Sequence, residues 1–362
     1  MKPELQAALF FLPEEDIAAI NILGAGNIND TFTVNLHSGE RRILQRLNPS
    51  VFHEPRAVMH NMRTVLDHLD KELEKDSGGR ENFRLPSLFR GKSGEWFEAE
   101  DGSIWRLMSM VEDSTTCSRI SDPGQARELG RGLGLFHRLL RNLDPEQLFD
   151  TLPDIHNTSN YLDAFDRIFY RRGKPAGAAA EYCSAFIEQH RHRVLIPADR
   201  RAGLTRGVIH GDPKVDNFLF AAGSHKVISL IDLDTVKPGL LLHDLGDALR
   251  SCCNVGGETA VQPEHIFFAP ELFHAWLTGY FSHAGFLLAD SDLEHIVAFV
   301  RLITFELGLR FHTDYVGGNR YFKVRFPEEN LQRALVQFYL AESIEKQWDH
   351  LQSLVRKAAG TH

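Results

Sequence analysis

One stretch near the middle of the chain places three polar side chains around a predicted β-hairpin. Asp212 and Asn217 lie in the segment His-Gly-Asp-Pro-Lys-Val-Asp-Asn, and Asp232 follows the next strand-like run. The flanking runs, 218–220 and 226–231, are apolar and separated by turn-forming residues. Because the start of one antiparallel strand lies beside the end of its partner, we expect Asn217 and Asp232 at the same edge of the hairpin.

These side chains have the chemistry of a phosphoryl-transfer site. An Asp, an Asn five residues later and a second Asp after a short hairpin follow the order found in kinases. This order predicts Asp212 as the catalytic base for an acceptor hydroxyl, and Asn217 with Asp232 as ligands of a divalent metal. His210 is predicted to be a structural brace. The alternative is a hairpin that Asp and Asn cap for structural reasons alone.

Composition restricts the classes of protein that remain. The chain has 362 residues, of which 43% are hydrophobic and 25% charged, so we expect a globular protein long enough for two lobes. A net charge of -9 argues against a nucleic-acid partner but leaves ATP possible. The four cysteines have no paired spacing, which favours a reduced, cytoplasmic setting without zinc. No signal peptide or membrane-spanning run is predicted, and no membrane partner is expected.

The first hundred residues predict a small sheet that contains a glycine turn. Gly24, Gly26 and Asn29 belong to a turn between predicted strands, where backbone amides can approach phosphates without side chains in the way. An ordinary hairpin turn is the alternative. Arg46, on the third predicted strand, is the candidate cation for the nucleotide phosphates, with a surface arginine as the alternative. The following helix, 55–75, has no clear Glu to pair with it.

Two later segments complete the predicted sites. Residues 107–111 are predicted to connect the two lobes, so the backbone of Ser109 and Met110 is the candidate adenine contact. Glu306, Arg310 and Asp314 recur every fourth residue on one face of a predicted helix. They form either a salt-bridge ladder or the wall of a polyol pocket, and we favour the pocket.

The sequence resembles the aminoglycoside phosphotransferase group within the protein-kinase-like fold. The resemblance rests on the motifs at 210–217, 231–234 and 243–247 and extends over essentially the whole chain. It implies a bilobal α+β fold with a small antiparallel-sheet N-terminal lobe, 1–108, that binds nucleotide. A larger, mostly helical lobe, 109–362, would hold the catalytic and substrate residues. In this group an Asp at position 244 braces the catalytic loop.

Within that group, the sequence is most similar to the N-acetylhexosamine 1-kinases. This likeness implies ATP and Mg as cofactors and phosphorylation of the anomeric hydroxyl of GlcNAc or GalNAc, a small-molecule sugar. It places Asn27 beside the sugar, where that group has a His, and gives Asp234 a role as second metal ligand or pocket wall. Kinases for choline, homoserine or an aminoglycoside, and a catalytically silent nucleotide-binding protein, are the alternatives. The oligomeric state is not predicted.

Overall fold

The computed structural model describes residues 1–23, 28–75, 79, 83–173, 175–260, 262 and 265–360. A small antiparallel sheet near the N-terminus precedes a mostly helical remainder, which confirms the predicted α+β, protein-kinase-like fold class. The strands are β1 Ile17–Ile22, β2 Asp30–Leu36, β3 Arg41–Arg46, β4 Phe97–Glu98, β5 Ile104–Ser109, β6 Ser114–Thr115, β7 Arg206–Ile209, β8 Phe218–Ala221, β9 Val227–Leu230 and β10 Lys237–Leu240. The helices are α1 Pro3–Phe11, α2 Pro55–Lys75, α3 Pro123–Leu140, α4 Thr158–Arg172, α5 Ala178–His190, α6 Ala198–Arg201, α7 Leu241–Cys252, α8 Pro270–Ala284, α9 Asp290–Gly317, α10 Glu329–Lys346 and α11 Trp348–Ala359.

The N-terminal sheet has the strand order β1-β2-β3-β5-β4, and all its pairings are antiparallel. Its two faces are covered by different elements because side chains alternate along each strand. On one face, Leu44 and Trp105 pack with alanines of α1. On the other, Ile43 and Met108 join the main core with α2. Odd-numbered residues of β3 and even-numbered residues of β5 therefore face the helical part of the molecule.

Two helices of the C-terminal part approach each other unusually closely. A Cβ atom at Gly130 of α3 would lie 1.9 Å from the carbonyl oxygen of Trp276, and one at Gly279 of α8 would lie 1.9 Å from that of Arg127. Only glycine fits such an approach, since a non-bonded contact of this length is impossible for a methyl group. Gly130 and Gly279 therefore allow α3 and α8 to pack closely, and this packing offsets the helix propensity that each glycine costs.

The predicted hairpin is present and carries the candidate residues at one edge. Strands β8 and β9 pair with Phe218 opposite Leu230, and the backbone N–H of Ile231 donates to the carbonyl of Asn217 at 2.9 Å. Asn217 and Asp232 thus lie at the open end of the hairpin, just beyond the Phe218–Leu230 pair. Within the described ranges, no helix combines the length and apolar character needed to cross a membrane.

Candidate active site

One buried carboxylate holds the loop that carries Asp212. Asp244, near the start of α7, accepts the backbone N–H groups of His210 and Gly211 at 2.6 and 2.8 Å. Its Oδ2 atom also lies 2.9 Å from Nε2 of His137. Burial by itself raises the pKa of Asp244, but the bonds from His137 and His210 outweigh it and lower that pKa. The ionised carboxylate therefore fixes the start of the loop, as the sequence predicts for position 244.

The turn at Gly211 explains why this loop needs a glycine. Its φ is +85°, and a Cβ atom there would lie 2.6 Å from the carbonyl oxygen of Thr235. The Thr235 hydroxyl donates to the carbonyl of His210 at 2.7 Å, and Nε2 of His210 lies 2.9 Å from the carbonyl of Ile231. Burial lowers the pKa of His210, so the imidazole is held neutral inside the fold. These contacts fit a structural brace.

Asp212, Asp234 and Arg106 all lie near Asp232, and we call this junction of the N-terminal sheet with the β8–β9 hairpin the cleft. Both the backbone and the side chain of Asp212 are constrained there. Lys214 donates Nζ to Oδ2 of Asp212 at 2.5 Å. Asn217 donates Nδ2 to the Asp212 carbonyl at 2.6 Å. The Asp212 side chain is 30% exposed, so an acceptor molecule can reach it. The loop thus presents a carboxylate with a cation beside it, which suits both proton acceptance and a phosphate group nearby.

The two predicted metal ligands, Asn217 and Asp232, form a site with surplus negative charge. Asp232 has left-handed backbone angles, φ 67° and ψ 58°, which are uncommon for a residue other than glycine. Burial raises its pKa to about 7, and the nearby carboxylates of Asp234 and Asp212 add to the effect. The Asn217 amide nitrogen is bound to the loop, which directs its oxygen the other way.

This donor set fits a divalent cation that also binds phosphate. In the part of the chain that the structure describes, no three His, Cys, Asp or Glu side chains converge as an all-protein metal cage. Mg²⁺ commonly takes one or two carboxylates and completes its shell with phosphate oxygens and water. Asn217 and Asp232 would hold such an ion, and its charge would compensate the buried carboxylates.

Asp234 connects the sheet to the catalytic hairpin. Its carboxylate forms an ion pair with Arg106 of β5 and accepts Nδ2–H of Asn29 at 2.5 Å. Both charged side chains are buried, at 1% exposed for Arg106 and 3% for Asp234. Arg106 also donates to Oε1 of Gln45, while Asn29 Oδ1 accepts the N–H of Asn48. The Asp234 carboxylate is thus engaged by two residues of the N-terminal sheet region, and its role as a second metal ligand or pocket wall beside the sugar stays a prediction.

Arg46 lies on the face of the sheet that α1 covers, away from Asp234 and the hairpin. The prediction that Arg46 contacts the nucleotide phosphates is therefore corrected. Arg46 forms ion pairs with Asp101 at 2.6 Å and Asp30 at 3.6 Å, and its side chain is 31% exposed. Its neighbour Gln45 faces the cleft instead and pairs across the strands with Arg106. Nη1 of Arg106 is buried without a hydrogen-bond partner among the described residues. The cation that faces Asp234 is therefore Arg106.

The remaining nucleotide candidates are only partly placed. Gly24, Gly26 and Asn27 lie outside the described residues. Ser109 is the last residue of β5, where its N–H donates to the carbonyl of Ser87 at 2.9 Å and its hydroxyl accepts the N–H of Ser87 at 2.8 Å. Met110 follows directly and is partly buried. Adenine contact by Ser109 and Met110 remains a prediction.

Arg310 occupies a cage of aromatic rings beside the cleft. Its guanidinium carbon lies 5.3 Å from the ring centroids of Tyr161 and Phe322 and 5.4 Å from that of Tyr321. Burial opposes its charge, but the electrostatic influence of Tyr161 and of other groups, including the Asp212 carboxylate, raises the Arg310 pKa. A cavity of about 780 Å³ opens next to this cage. Its lining comes from α4, α9, the segment 320–322 and the loops at 50–53 and 151–155.

The other two residues of the predicted pocket face make internal contacts. Glu306 accepts from Nδ1 of His156 at 3.1 Å and from the Thr158 hydroxyl. Asp314 lines the cavity, yet its carboxylate accepts three backbone N–H groups, those of residues 320, 321 and 322, at 2.7 to 2.9 Å. Asn330 donates a fourth bond to it at 3.0 Å. Direct sugar contact by Asp314 is therefore corrected: its oxygens hold the segment that carries the cage rings.

Three residues of the site escaped the sequence analysis. Lys214 stands two positions after Asp212, and a cation so close to a candidate base was a usable signal. Arg106 sits between Trp105 and Leu107 in an apolar strand, where a buried arginine calls for a carboxylate partner. His156 has no motif around it, and only the folded chain brings it to Glu306.

The fold and this cluster define a protein-kinase-like phosphotransferase: a small sheet meets a helical body at an ordered Asp-Asn-Asp set. The chain belongs to the phosphotransferase enzyme family, which matches residues 19–286. This membership confirms the predicted class of enzyme, a phosphotransferase, and the predicted resemblance to the aminoglycoside phosphotransferase group.

Solved structures of small-molecule kinases share the fold. A microcompartment-associated aminopropanol kinase is 18% identical, with a TM-score of 0.65 over 96% of this chain and 97% of its own. An aminoglycoside phosphotransferase from Alicyclobacillus acidocaldarius is 15% identical, with a TM-score of 0.63 over 97% of each chain. Amicoumacin kinase in complex with AMP-PNP, Ca2+ and Ami is 16% identical, with a TM-score of 0.57 over 95% of this chain and 92% of its own.

Proposed function

We propose that this protein transfers the γ-phosphoryl group of ATP to a hydroxyl of an uncharged sugar, and that the acceptor is the anomeric hydroxyl of an N-acetylhexosamine such as GlcNAc or GalNAc. The products are the sugar 1-phosphate and ADP. Asp212 accepts the hydroxyl proton as the acceptor oxygen bonds to phosphorus. Lys214, which is bound to the Asp212 carboxylate, offers positive charge beside the reacting groups.

Arg106 is the residue that we assign to the nucleotide phosphates, in place of Arg46. Its free Nη1 donor and its position against Asp234 at the sheet side of the cleft support this assignment. Asn217 and Asp232 would hold Mg²⁺, which supplies charge neutralisation for the phosphates when bound. Asn29 would fix the end of the glycine turn through Asp234 and Asn48.

The observation that carries the choice of acceptor is the position of Arg310. Aromatic rings around an open space attract the cationic head group of a substrate such as choline. Here the guanidinium of the protein already lies against Tyr161, Tyr321 and Phe322. A cationic acceptor would meet a filled cage and a like charge, whereas hydroxyl and carbonyl oxygens can accept hydrogen bonds from Arg310.

A second candidate is an amino alcohol kinase. The structural relatives act on aminopropanol and aminoglycosides, and two carboxylates stand near Asp212, those of Asp232 and Asp247. Carboxylates attract an ammonium group, which is the observation that favours this class. The two candidates predict opposite effects of Arg310 on acceptor binding: its positive charge should favour a neutral sugar and disfavour an amino alcohol.

An ATP-consumption assay with an acceptor panel tests the proposal. We expect GlcNAc or GalNAc to stimulate turnover, 31P NMR to identify a sugar 1-phosphate, and choline, ethanolamine and 1-amino-2-propanol to be inactive. Arg310→Ala should raise the KM for the sugar. Arg333→Ala is the matched control, because Arg333 also lies over a ring, that of Phe311 at 5.6 Å, yet does not line the cavity. Turnover of amino alcohols alone would reject the sugar assignment.

A further inference from the structure

Helix α7 turns one face toward the catalytic loop, and a carboxylate in the middle of that face has an unused oxygen. Asp244 binds the backbone of residues 210 and 211, and Ser251 Oγ accepts the N–H of Val215 at 3.1 Å. Asp247 lies between them on the same face, since residues three, four and seven apart share one side of a helix. It therefore stands next to the stretch that contains Asp212.

The hydrogen bonds of Asp247 are incomplete. Its Oδ1 atom accepts from Nε and Nη2 of Arg250 at 2.9 and 2.7 Å, and Nη1 of Arg250 donates to Glu258 at 2.6 Å. The Asp247 side chain is only 8% exposed, and its other oxygen, Oδ2, is buried without a partner among the described residues. An unpaired buried carboxylate oxygen is costly, so it marks a place where a bound group donates.

A second unpaired atom belongs to His156, whose side chain acts electrostatically on Asp247. His156 stacks on His243 of α7, with ring centroids 4.5 Å apart, and His243 is one helical turn before Asp247. Nδ1 of His156 lies 3.1 Å from a Glu306 oxygen, and because a carboxylate only accepts, Nδ1 carries a proton and donates it to Glu306. The other ring nitrogen, Nε2, is also buried without a partner in the described part of the chain.

We propose that Asp247 Oδ2 and His156 Nε2 form a polar subsite that makes hydrogen bonds with two hydroxyl groups of the acceptor, beside the hydroxyl that Asp212 activates. Glu306 is a positioning residue, because it fixes the tautomer and orientation of His156. The charge of Asp247 is already compensated by Arg250, and Arg310 stands nearby, so neutral hydroxyl donors fit better than an ammonium group. This inference rests on the proposed function.

Asp247→Asn is the sharpest variant. Arg250 should hold the amide oxygen, which leaves the amide nitrogen, a donor, where Oδ2 was. We expect the KM for GlcNAc or GalNAc to rise by about 10- to 100-fold, with the KM for ATP unchanged. Glu258→Gln is the matched control, since it removes a carboxylate partner of the same arginine and leaves Oδ2 untouched; its sugar KM should stay near the wild-type value.

Deoxy sugars connect the residue to a hydroxyl. The 3-, 4- and 6-deoxy analogues are compared with the parent sugar in the wild type and in Asp247→Asn. In the wild type, we expect one deoxy analogue to have a much lower kcat/KM than the parent sugar. In Asp247→Asn, the same analogue and the parent sugar should have similar kcat/KM values, because the hydroxyl and the carboxylate act as a coupled pair. His156→Phe keeps a ring stacked on His243 but removes Nε2, so its kcat/KM should no longer depend on a second, different hydroxyl. This variant also tests the subsite if Asp247→Asn does not fold.

The outcomes separate the two levels of the argument. If the wild type phosphorylates no neutral sugar, the proposed function fails. If it phosphorylates the sugar and both variants keep the wild-type KM and full sensitivity to every deoxy analogue, the subsite is wrong while the proposed function stands. If an amino alcohol is the acceptor and Asp247→Asn abolishes its use, the subsite binds an ammonium group and the hydroxyl assignment is overturned.

Discussion

Two arginines on adjacent strands provide a matched test of where the N-terminal sheet binds phosphate. Arg106 faces the cleft, is 1% exposed and pairs with the buried Asp234. Arg46 faces the opposite side, is 31% exposed and pairs with Asp101, which is 56% exposed. The same replacement at both positions, Arg106→Met and Arg46→Met, removes the same charge from two different environments.

The structure gives different magnitudes for the two changes. Without Arg106, the Asp234 carboxylate stays buried near Asp232 and, among the residues that the structure describes, keeps only the bond from Asn29. Breaking a buried pair in this way costs about 3–5 kcal/mol of unfolding free energy. Without Arg46, solvent replaces an exposed pair, and the cost is about 0–1 kcal/mol. Methionine preserves most of the apolar stem at both sites.

Urea unfolding and steady-state kinetics on the same samples measure both effects. We expect Arg106→Met to unfold at clearly lower urea and to raise the KM for ATP by about tenfold or more, as loss of a charged hydrogen bond does. Arg46→Met should change neither by much. Equal stability losses would refute the burial argument, and a raised ATP KM in Arg46→Met alone would return the phosphate contact to Arg46.

Three further perturbations have defined outcomes. Asp212→Asn should keep the unfolding midpoint and lower kcat by about 10²- to 10⁴-fold, and near-normal turnover would exclude it as base. Gly130→Ala should destabilise by about 1–3 kcal/mol or more because its Cβ meets the Trp276 carbonyl, whereas Gly203→Ala, with open space around it, should be neutral in the same melt. Burial lowers the His312 pKa to about 4, so between pH 6.5 and 4 the unfolded state binds more protons and the free energy of unfolding falls as the pH drops. His312→Gln should remove this contribution to the pH dependence of stability. An unchanged pH profile would contradict the buried neutral ring.

The sequence predicts the catalytic hairpin well because its determinants are local. Turn residues, two short apolar runs and the alternation of strands are enough to bring Asn217 and Asp232 together, and the structure has the same pairing. The brace at Asp244 is also predictable, since the family motif carries it. Glycines inside a helix such as α3 indicate close packing, because each one costs helix propensity. The identity of the partner helix, α8, cannot be predicted from them.

The errors concern the side of a strand and the partners of a carboxylate. Arg46 and Arg106 lie on adjacent strands, but which of them faces the cleft depends on the packing of α1 and α2, which the spacing of residues does not contain. Asp314 has the helical spacing of a pocket residue, yet nearby backbone N–H groups in the segment 320–322 use its oxygens. Neither outcome can be derived without the tertiary fold.

The start of β2 contacts both the catalytic hairpin and the segment beside the Arg310 cage. Asn29 is bound to Asp234, two residues after the metal candidate Asp232, while Asp30 pairs at 3.1 Å with Lys323, which follows the segment that Asp314 holds. The Asp30–Lys323 pair is about half exposed, so salt screens it, whereas the buried contacts of Asp234 are not screened. The buried contacts of Asp234 therefore contribute more than the exposed Asp30–Lys323 pair to holding the sheet against the helical body.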